Sequence, residues 1–141
     1  MNVVLKRVYD PPSVADGTRV LVDRLWPRGI KKDAVQHWLK DLAPSNELRQ
    51  WFHQRPAQWP MFRKRYLKEL TAPEAAQALE QLYELAGTKK KLTLLFASRN
   101  LEHNNATVLK DLLDGMRKPP NSTGPAKAAA GAARASRPRP R

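Results

Sequence analysis

Residues 19–29 read RVLVDRLWPRG, and this stretch decides the fold. Its first part, the short β-branched run at 20–22, predicts a buried strand that we expect to cover residues 19–25. A carboxylate at Asp23, an indole at Trp26 and two arginines follow, closed by a Pro/Gly turn. A buried strand that ends in such a polar cluster is a candidate functional site.

The rest of the chain alternates predicted strands with predicted helices. A Val-rich run at residues 2–9 predicts the first strand. LTLLFA at 92–97 predicts the most buried strand, because a near-continuous apolar run is typical of the middle of a parallel sheet. Residues 30–43 are ambiguous, and we expect a loop followed by a short helix or strand.

Helical spacing of apolar residues and end signals predict four helices. Their expected bounds are Ser45 as N-cap to His53, Pro56 onward, Thr71 as N-cap with Glu74 in a capping box to Gly87, and residues 101–116.

Strands separated by helices predict one α/β domain with a small, mostly parallel sheet flanked by helices. At 141 residues the chain can hold one core but not two full domains, and we place the domain at residues 1–116. Residues 117–141 contain no large apolar side chain, so they cannot bury enough surface to offset the entropy of ordering. This Ala/Pro/Arg-rich tail is expected to be disordered.

The charge is strongly basic, with 26 Lys+Arg against 13 Asp+Glu and a net charge of +13. Seven of those cations and no acid lie in residues 117–141, so the tail carries just over half of the excess. Non-specific attraction to nucleic acid is therefore expected of the tail more than of the domain.

Composition also excludes several classes of protein. Cysteine is absent, which rules out disulfides, cysteine-ligated zinc and thiol nucleophiles and suits a reducing compartment. The first residues lack a signal-peptide apolar region, and no apolar run approaches the roughly 20 residues of a membrane span. We expect a cytoplasmic protein that does not associate with membranes.

Two predicted strand ends carry polar clusters, residues 23–28 and residues 98–104. Ligands of parallel α/β sheets bind outside the carboxyl ends of the strands. The second cluster leads into the predicted fourth helix, whose free N–H groups and nearby arginines would form an anion site. His103 is expected in its first turns, where the positive helix end favours a neutral imidazole. Asp23 and His103 are the candidate catalytic residues, and the candidate ligand-binding residues at these ends are Arg24, Trp26, Arg28, Ser98, Arg99 and Asn104.

A structural role fits each of these residues as well. A lone aspartate such as Asp23 more often pairs with a neighbouring arginine, Trp26 more often belongs to a core, and His103 more often packs than reacts. Gly-rich nucleotide loops and G-x-S-x-G are absent. The three histidines at 37, 53 and 103 lack metal-ligand spacing, so neither a metal nor a cofactor is expected.

Three long strings carry a family resemblance: RVYDPPSVADGTRVLVDRLWPRG at 7–29, WLKDLAPSNELRQWFH at 38–53 and LLFASRNLEHNNATVLKDLL at 94–113. In order and spacing they resemble the DUF488 family, specifically its short YeaO-like branch, over about residues 2–114. The resemblance implies a small bacterial cytoplasmic α/β protein and no particular reaction. It adds three residues to the candidate ligand site: Ser45, Arg49 and His53.

The chain departs from the family pattern at two places. Members usually have Gly before the histidine that corresponds to His53, which here follows Phe52 directly. Many members have an acid at the position of Asn100, so that position cannot supply an essential base. Some members carry a uroporphyrin-III C-methyltransferase label, but this chain is short for that enzyme and lacks a Gly-rich S-adenosylmethionine loop.

Three functions remain open from the sequence. The first is an enzyme or binding domain for a small anionic or phosphorylated ligand. The second is a nucleic-acid-associated protein that uses the tail and the basic residues of 63–68 and 89–91. The third is a partner-binding module with Trp38, Trp51 and Trp59 in an interface, and the oligomeric state is open.

Overall fold

The computed structural model describes residues 2–116, and its strands form one sheet in the order β1-β4-β2-β3. Their bounds are β1 Asn2–Arg7, β2 Thr18–Leu21, β3 His37–Trp38 and β4 Lys91–Phe96. Every pairing is parallel, so the predicted α/β class and parallel sheet are confirmed. The segments that follow the four strands therefore meet at one end of the sheet, called the carboxyl edge below.

The two faces of the sheet pack against different parts of the chain. The helices are α1 Asn46–Gln54, α2 Trp59–Glu69, α3 Pro73–Thr88 and α4 Asn105–Met116, and all four contribute to the larger core. Alternate strand residues point to opposite faces, so Val20 joins that core whereas Leu21 joins a smaller cluster on the other face. That cluster is covered by Trp26, Ile30 and Val35 from the segment between β2 and β3.

A cluster of charged side chains around the buried Asp16 also lies on the second face of the sheet. Asp16, 6% exposed, lies in a 3₁₀ turn at Val14–Asp16 and accepts hydrogen bonds from Arg19 at 2.5 Å and Lys6 at 3.0 Å. Its carbonyl accepts a hydrogen bond of 2.6 Å from the hydroxyl of Thr93 in β4. Asp16 thereby connects β1, β2 and β4. Gly17 permits this close approach, because a Cβ there would lie 2.6 Å from the carbonyl oxygen of Lys91 and its φ is +65°.

The predicted strands are correct in place but not in length. β1 ends at Arg7 rather than residue 9, and β2 ends at Leu21 rather than residue 25. β2 ends early because the carboxylate of Asp23, not a backbone carbonyl, bonds the N–H of Ala97. The ambiguous segment 30–43 holds two 3₁₀ turns, at Lys32–Ala34 and Lys40–Leu42, with the two-residue β3 between them.

The predicted starts of α2, α3 and α4 are wrong, because in each case a local hydrogen bond holds the residues before the helix in a turn. The N–H of Gln58 donates to the carbonyl of Arg55, so a separate turn precedes α2, which begins at Trp59 instead of Pro56. The hydroxyl of Thr71 donates to the carbonyl of Lys68, and Ala72 rather than Thr71 is the N-cap of α3. α3 extends one residue past the predicted Gly87, to Thr88.

The start of α4 moves furthest. The side-chain oxygen of Asn100 accepts the N–H groups of Glu102 and His103 at 3.1 and 2.9 Å, which holds residues 98–104 as a loop. α4 therefore begins at Asn105 instead of residue 101, and His103 precedes the helix. The side-chain oxygen of Asn104 accepts the N–H of Thr107 at 3.0 Å, as an N-cap does.

The tail at 117–141, which we expect to be disordered, lies outside the described residues. Within residues 2–116, no helix has the length and apolar character needed to cross a membrane.

We predict that Asp16→Ala lowers the free energy of unfolding by about 3–5 kcal/mol, because it leaves the buried Arg19 without its ion-pair partner. Burial opposes ionisation of Asp16, but hydrogen bonds from Lys6 and Arg19 outweigh it and bring its pKa below the ordinary 3.8. The stabilisation is therefore complete above pH 3.8 and is lost as the pH falls through the lowered pKa.

Urea unfolding of the wild type and Asp16→Ala at neutral pH and at low pH tests this prediction. The difference between the two proteins should shrink at low pH, and Asp10→Ala, which removes an exposed carboxylate, should stay within about 0.5 kcal/mol of the wild type. A difference that does not depend on pH would refute the ion-pair account.

Candidate functional site

Asp23 is half-buried and lies two residues after the end of β2, at the carboxyl edge of the sheet. One carboxylate oxygen accepts the N–H of Ala97, which follows β4, at 2.8 Å. The other accepts the side-chain N–H of Asn105 at 3.1 Å. Burial raises the pKa of Asp23 above its ordinary value, although these hydrogen bonds and the charge of Arg49 partly offset that effect.

Asn105 is the first residue of α4 and is 8% exposed. Besides Asp23, its side-chain N–H group reaches the carbonyl of Val22 at 2.9 Å. Asp23 and Asn105 together therefore connect the end of β2, the end of β4 and the start of α4. We call these two residues the edge pair. Asn105 was absent from the candidates predicted from the sequence, although it lies within the EHNN string of the family resemblance.

The two tryptophans beside this cluster, Trp26 and Trp38, both donate hydrogen bonds to the backbone. The indole N–H of Trp38 donates to the carbonyl of Asp23 at 2.8 Å, and that of Trp26 donates to the carbonyl of Ile30 at 2.8 Å. Their rings meet edge to face at a centroid distance of 5.3 Å. Trp26, predicted as a ligand residue, is thus half-buried and holds the turn that follows β2.

Arg24 and Arg49 are exposed and lie near Asp23. Arg24 donates to the carbonyl of Ala43 at 3.2 Å, and Arg49 donates to the side chain of Asn46 at 2.7 Å. The charge of Arg49 acts on the pKa of Asp23. Burial holds the pKa of Tyr66 well above 10.0; the charges of Asp23 and Glu69 raise it further and that of Arg24 lowers it. Asp23, Glu69 and Arg24 therefore lie near the buried Tyr66, and Arg49 lies near Asp23.

Ser45 lies in the same region, but its polar groups already have partners. Its N–H and its hydroxyl donate to the two carboxylate oxygens of Glu69 in α2, at 2.7 and 2.6 Å. The hydroxyl oxygen also accepts the N–H of Leu48 at 3.1 Å, which confirms Ser45 as the N-cap of α1. Ser45 joins α1 to α2, and a ligand would have to displace Glu69 to reach it.

The remaining predicted residues lie around this cluster. His103 is half-buried with its ring stacked on Trp59, at a centroid distance of 4.5 Å and an interplanar angle of 10°. Asn104 is buried and caps α4. The others are exposed: His53 in the last turn of α1, Arg28 after β2, and Ser98 and Arg99 after β4. No contact in the described residues connects His53, Arg28 or Arg99 to Asp23.

The charged groups of this cluster differ in whether the chain supplies them with partners. Both oxygens of Asp23 accept hydrogen bonds from the chain, whereas Arg24 and Arg49 are absent from the ion pairs found among residues 2–116. The same residues contain no group of three His, Asp or Glu side chains that could hold a metal ion.

We predict that Asp23→Ala lowers the free energy of unfolding by about 1–3 kcal/mol, because the N–H of Ala97 loses its acceptor within a partly buried edge. Chemical unfolding measures the change. The matched control is Asp33→Ala, which removes an exposed carboxylate from the segment between β2 and β3 and should change stability by less than about 0.5 kcal/mol. Equal losses in the two variants would show that Asp23 has no special structural role.

Comparison with known proteins identifies the family. A family model described as the inactive DUF488-N3 subclade matches residues 2–129. The uncharacterized protein YeaO of Escherichia coli K12 is 48% identical over 115 residues, which cover 80% of this chain and 97% of YeaO. The uncharacterized protein Rv3073c of Mycobacterium tuberculosis H37Rv is 44% identical over 116 residues, or 81% and 95% of the two chains. No solved structure matches significantly. The chain therefore belongs to the DUF488 family, as its YeaO-like motifs predict.

Proposed function

We propose that this domain binds a small anionic or phosphorylated ligand at the carboxyl edge of the sheet, with Arg24 and Arg49 as the anion-binding residues. One observation carries the proposal. Two exposed guanidiniums lie near the partly buried Asp23, and neither pairs with a carboxylate within 4.0 Å among residues 2–116.

The chemistry of arginine favours a carboxylate or phosphate as the bound group. A guanidinium presents N–H donors in a planar fork that matches two oxygens of such an anion. Arg24 and Arg49 each donate one hydrogen bond to a neutral oxygen, of Ala43 and Asn46 respectively, which fixes the side chain and leaves other donors free. The carboxyl edge is also where ligands of parallel α/β sheets bind.

The contacts of Asp23 and His103, the two candidate acid–base groups, favour binding over catalysis. Asp23 is committed to Ala97 and Asn105, and His103 is stacked on Trp59. The description of the matching family model as inactive supports the same choice. We therefore propose that Asp23 orders the edge and does not transfer protons to a substrate.

We expect inorganic phosphate and pyrophosphate, titrated into the full chain, to cause saturable NMR shifts in the backbone amides of residues 22–25, 45–49 and 97–105. Arg24→Gln and Arg49→Gln should each weaken binding at least tenfold, since a hydrogen bond to a charged group contributes about 1.5–3 kcal/mol. Lys64→Gln, an exposed cation on α2, is the matched control and should leave affinity unchanged.

A second arm of the experiment separates this site from a general attraction to polyanions. Nucleic acid bound through the tail should show a steep dependence on salt that disappears when residues 117–141 are removed. Phosphate binding at the carboxyl edge should survive that deletion. Shifts that are lost with the tail, or that Lys64→Gln weakens as much as Arg24→Gln does, would contradict the proposal.

A further inference from the structure

A recess lies between α1 and α2, and it adjoins the region of the carboxyl edge at Ser45. It is an open groove of about 610 Å³, with Leu48 and Trp51 of α1 on one side and Arg65 and Lys68 of α2 on the other. An α-helix turns about 100° per residue, so Trp51 and Arg49 point in roughly opposite directions from α1. The groove therefore faces away from the proposed anion site. We call it the α1–α2 groove.

Two guanidiniums meet at one indole beside the α1–α2 groove. Arg65 lies over the Trp51 ring with its central carbon 4.4 Å from the centroid, and Arg55 lies 5.5 Å from the same centroid. Neither these arginines nor Lys68 belongs to the ion pairs formed within residues 2–116. Positive charge thus accumulates around an aromatic ring that is half-buried, without a paired carboxylate to balance it.

The acids that line the groove reduce this imbalance without removing it, because Glu47 and Glu69 stand against the three cations Arg55, Arg65 and Lys68. Glu69 uses both carboxylate oxygens to accept hydrogen bonds from Ser45, at 2.7 and 2.6 Å. Glu47 is exposed and forms no ion pair among the described residues. The wall of the groove is otherwise mainly apolar.

We propose that the α1–α2 groove binds a planar ring that carries an anionic group. The ring extends the stack formed by Trp51 and Arg65, and the anion is bound by Arg65 and Lys68. An apolar wall with a few charged groups is the usual composition of a small-molecule site, and about 610 Å³ is within the usual size range. A guanidinium stacked on an indole is already oriented, so it loses little freedom when it binds an anion.

Both parts of the ligand are needed on this account. An inorganic anion would leave the apolar wall of the groove in contact with water, and an uncharged ring would leave Arg65 and Lys68 without a partner. A phosphate ester and a carboxylate share the required chemistry. The experiment therefore uses 1-naphthyl phosphate and 1-naphthoate as probes, with 1-naphthol and inorganic phosphate as the separate halves.

Titration of the full chain, followed by NMR of the backbone amides and the indole N–H groups, should show saturable shifts at residues 65–69 and at the Trp51 indole, which are not among the groups expected to respond to phosphate at the carboxyl edge. We expect naphthyl phosphate or naphthoate to bind at least tenfold more tightly than naphthol or phosphate alone. The tighter of the two charged probes identifies the anion as a phosphate ester or a carboxylate.

Arg65 and Glu47 are exposed, so substitutions there test their roles without threatening the fold, whereas the control position Arg63 is half-buried. Arg65→Gln should weaken binding of the charged probes at least fivefold, and Glu47→Gln should strengthen it, because it removes a negative charge from the groove. The matched control Arg63→Gln changes an arginine on the opposite side of α2 and should have no effect. The proposal is overturned if naphthol binds as tightly as naphthyl phosphate, or if Arg65→Gln and Arg63→Gln behave alike.

The outcome is separable from that of the carboxyl-edge site. Arg24→Gln and Arg49→Gln should leave the shifts that the naphthyl probes cause at residues 65–69 and at the Trp51 indole unaffected, because neither arginine lines the α1–α2 groove. Loss of these shifts in Arg24→Gln would instead assign the ligand to the carboxyl edge and refute this inference.

Discussion

Where β2 leaves the sheet, the carboxylate of Asp23 accepts a hydrogen bond that a backbone carbonyl would accept in a longer strand. It accepts the N–H of Ala97 at 2.8 Å after the backbone ladder between β2 and β4 has ended, and Asn105 completes the edge pair. Its two oxygens let the carboxylate accept from two elements, Ala97 after β4 and Asn105 of α4. The cost is a partly buried charge, visible in the raised pKa of Asp23. Through Asn105 the same carboxylate also joins the start of α4 to the end of β2.

Most of the fold was predictable because its signals are local. The apolar run of β4 has neighbours on both sides and is buried throughout from Leu92, as the sequence predicts. Ser45 caps α1 through its own first turn. The start of α4 was not predictable, because the helical apolar spacing continues while the side chain of Asn100 holds the backbone in a turn. β3 has two exposed residues and no strand-length pattern, and it pairs because β2 lies beside it.

The sequence predicts where the candidate site lies in the fold, but it does not predict the hydrogen-bond partners of the site residues. A polar cluster after a buried strand locates Asp23 and Arg24, and the rule for parallel sheets puts them at the carboxyl edge. Arg24, Ser45 and Asp23 have partners 19 to 82 positions away in the chain, which are Ala43, Glu69 and Asn105 respectively. No spacing rule reaches across such distances. Residues predicted to bind ligand therefore include Ser45, whose hydrogen bonds the fold itself uses.

The most direct test is amide hydrogen exchange of Ala97 in the wild type and in Asp23→Ala. The account predicts that the Ala97 N–H, protected by the carboxylate of Asp23, exchanges slowly in the wild type and rapidly in the variant. The N–H of Leu94, in the middle of β4, reports global stability and should change by no more than the measured loss in free energy of unfolding. Fast exchange of Ala97 in the wild type, or equal exchange in both proteins, would contradict the central role of Asp23.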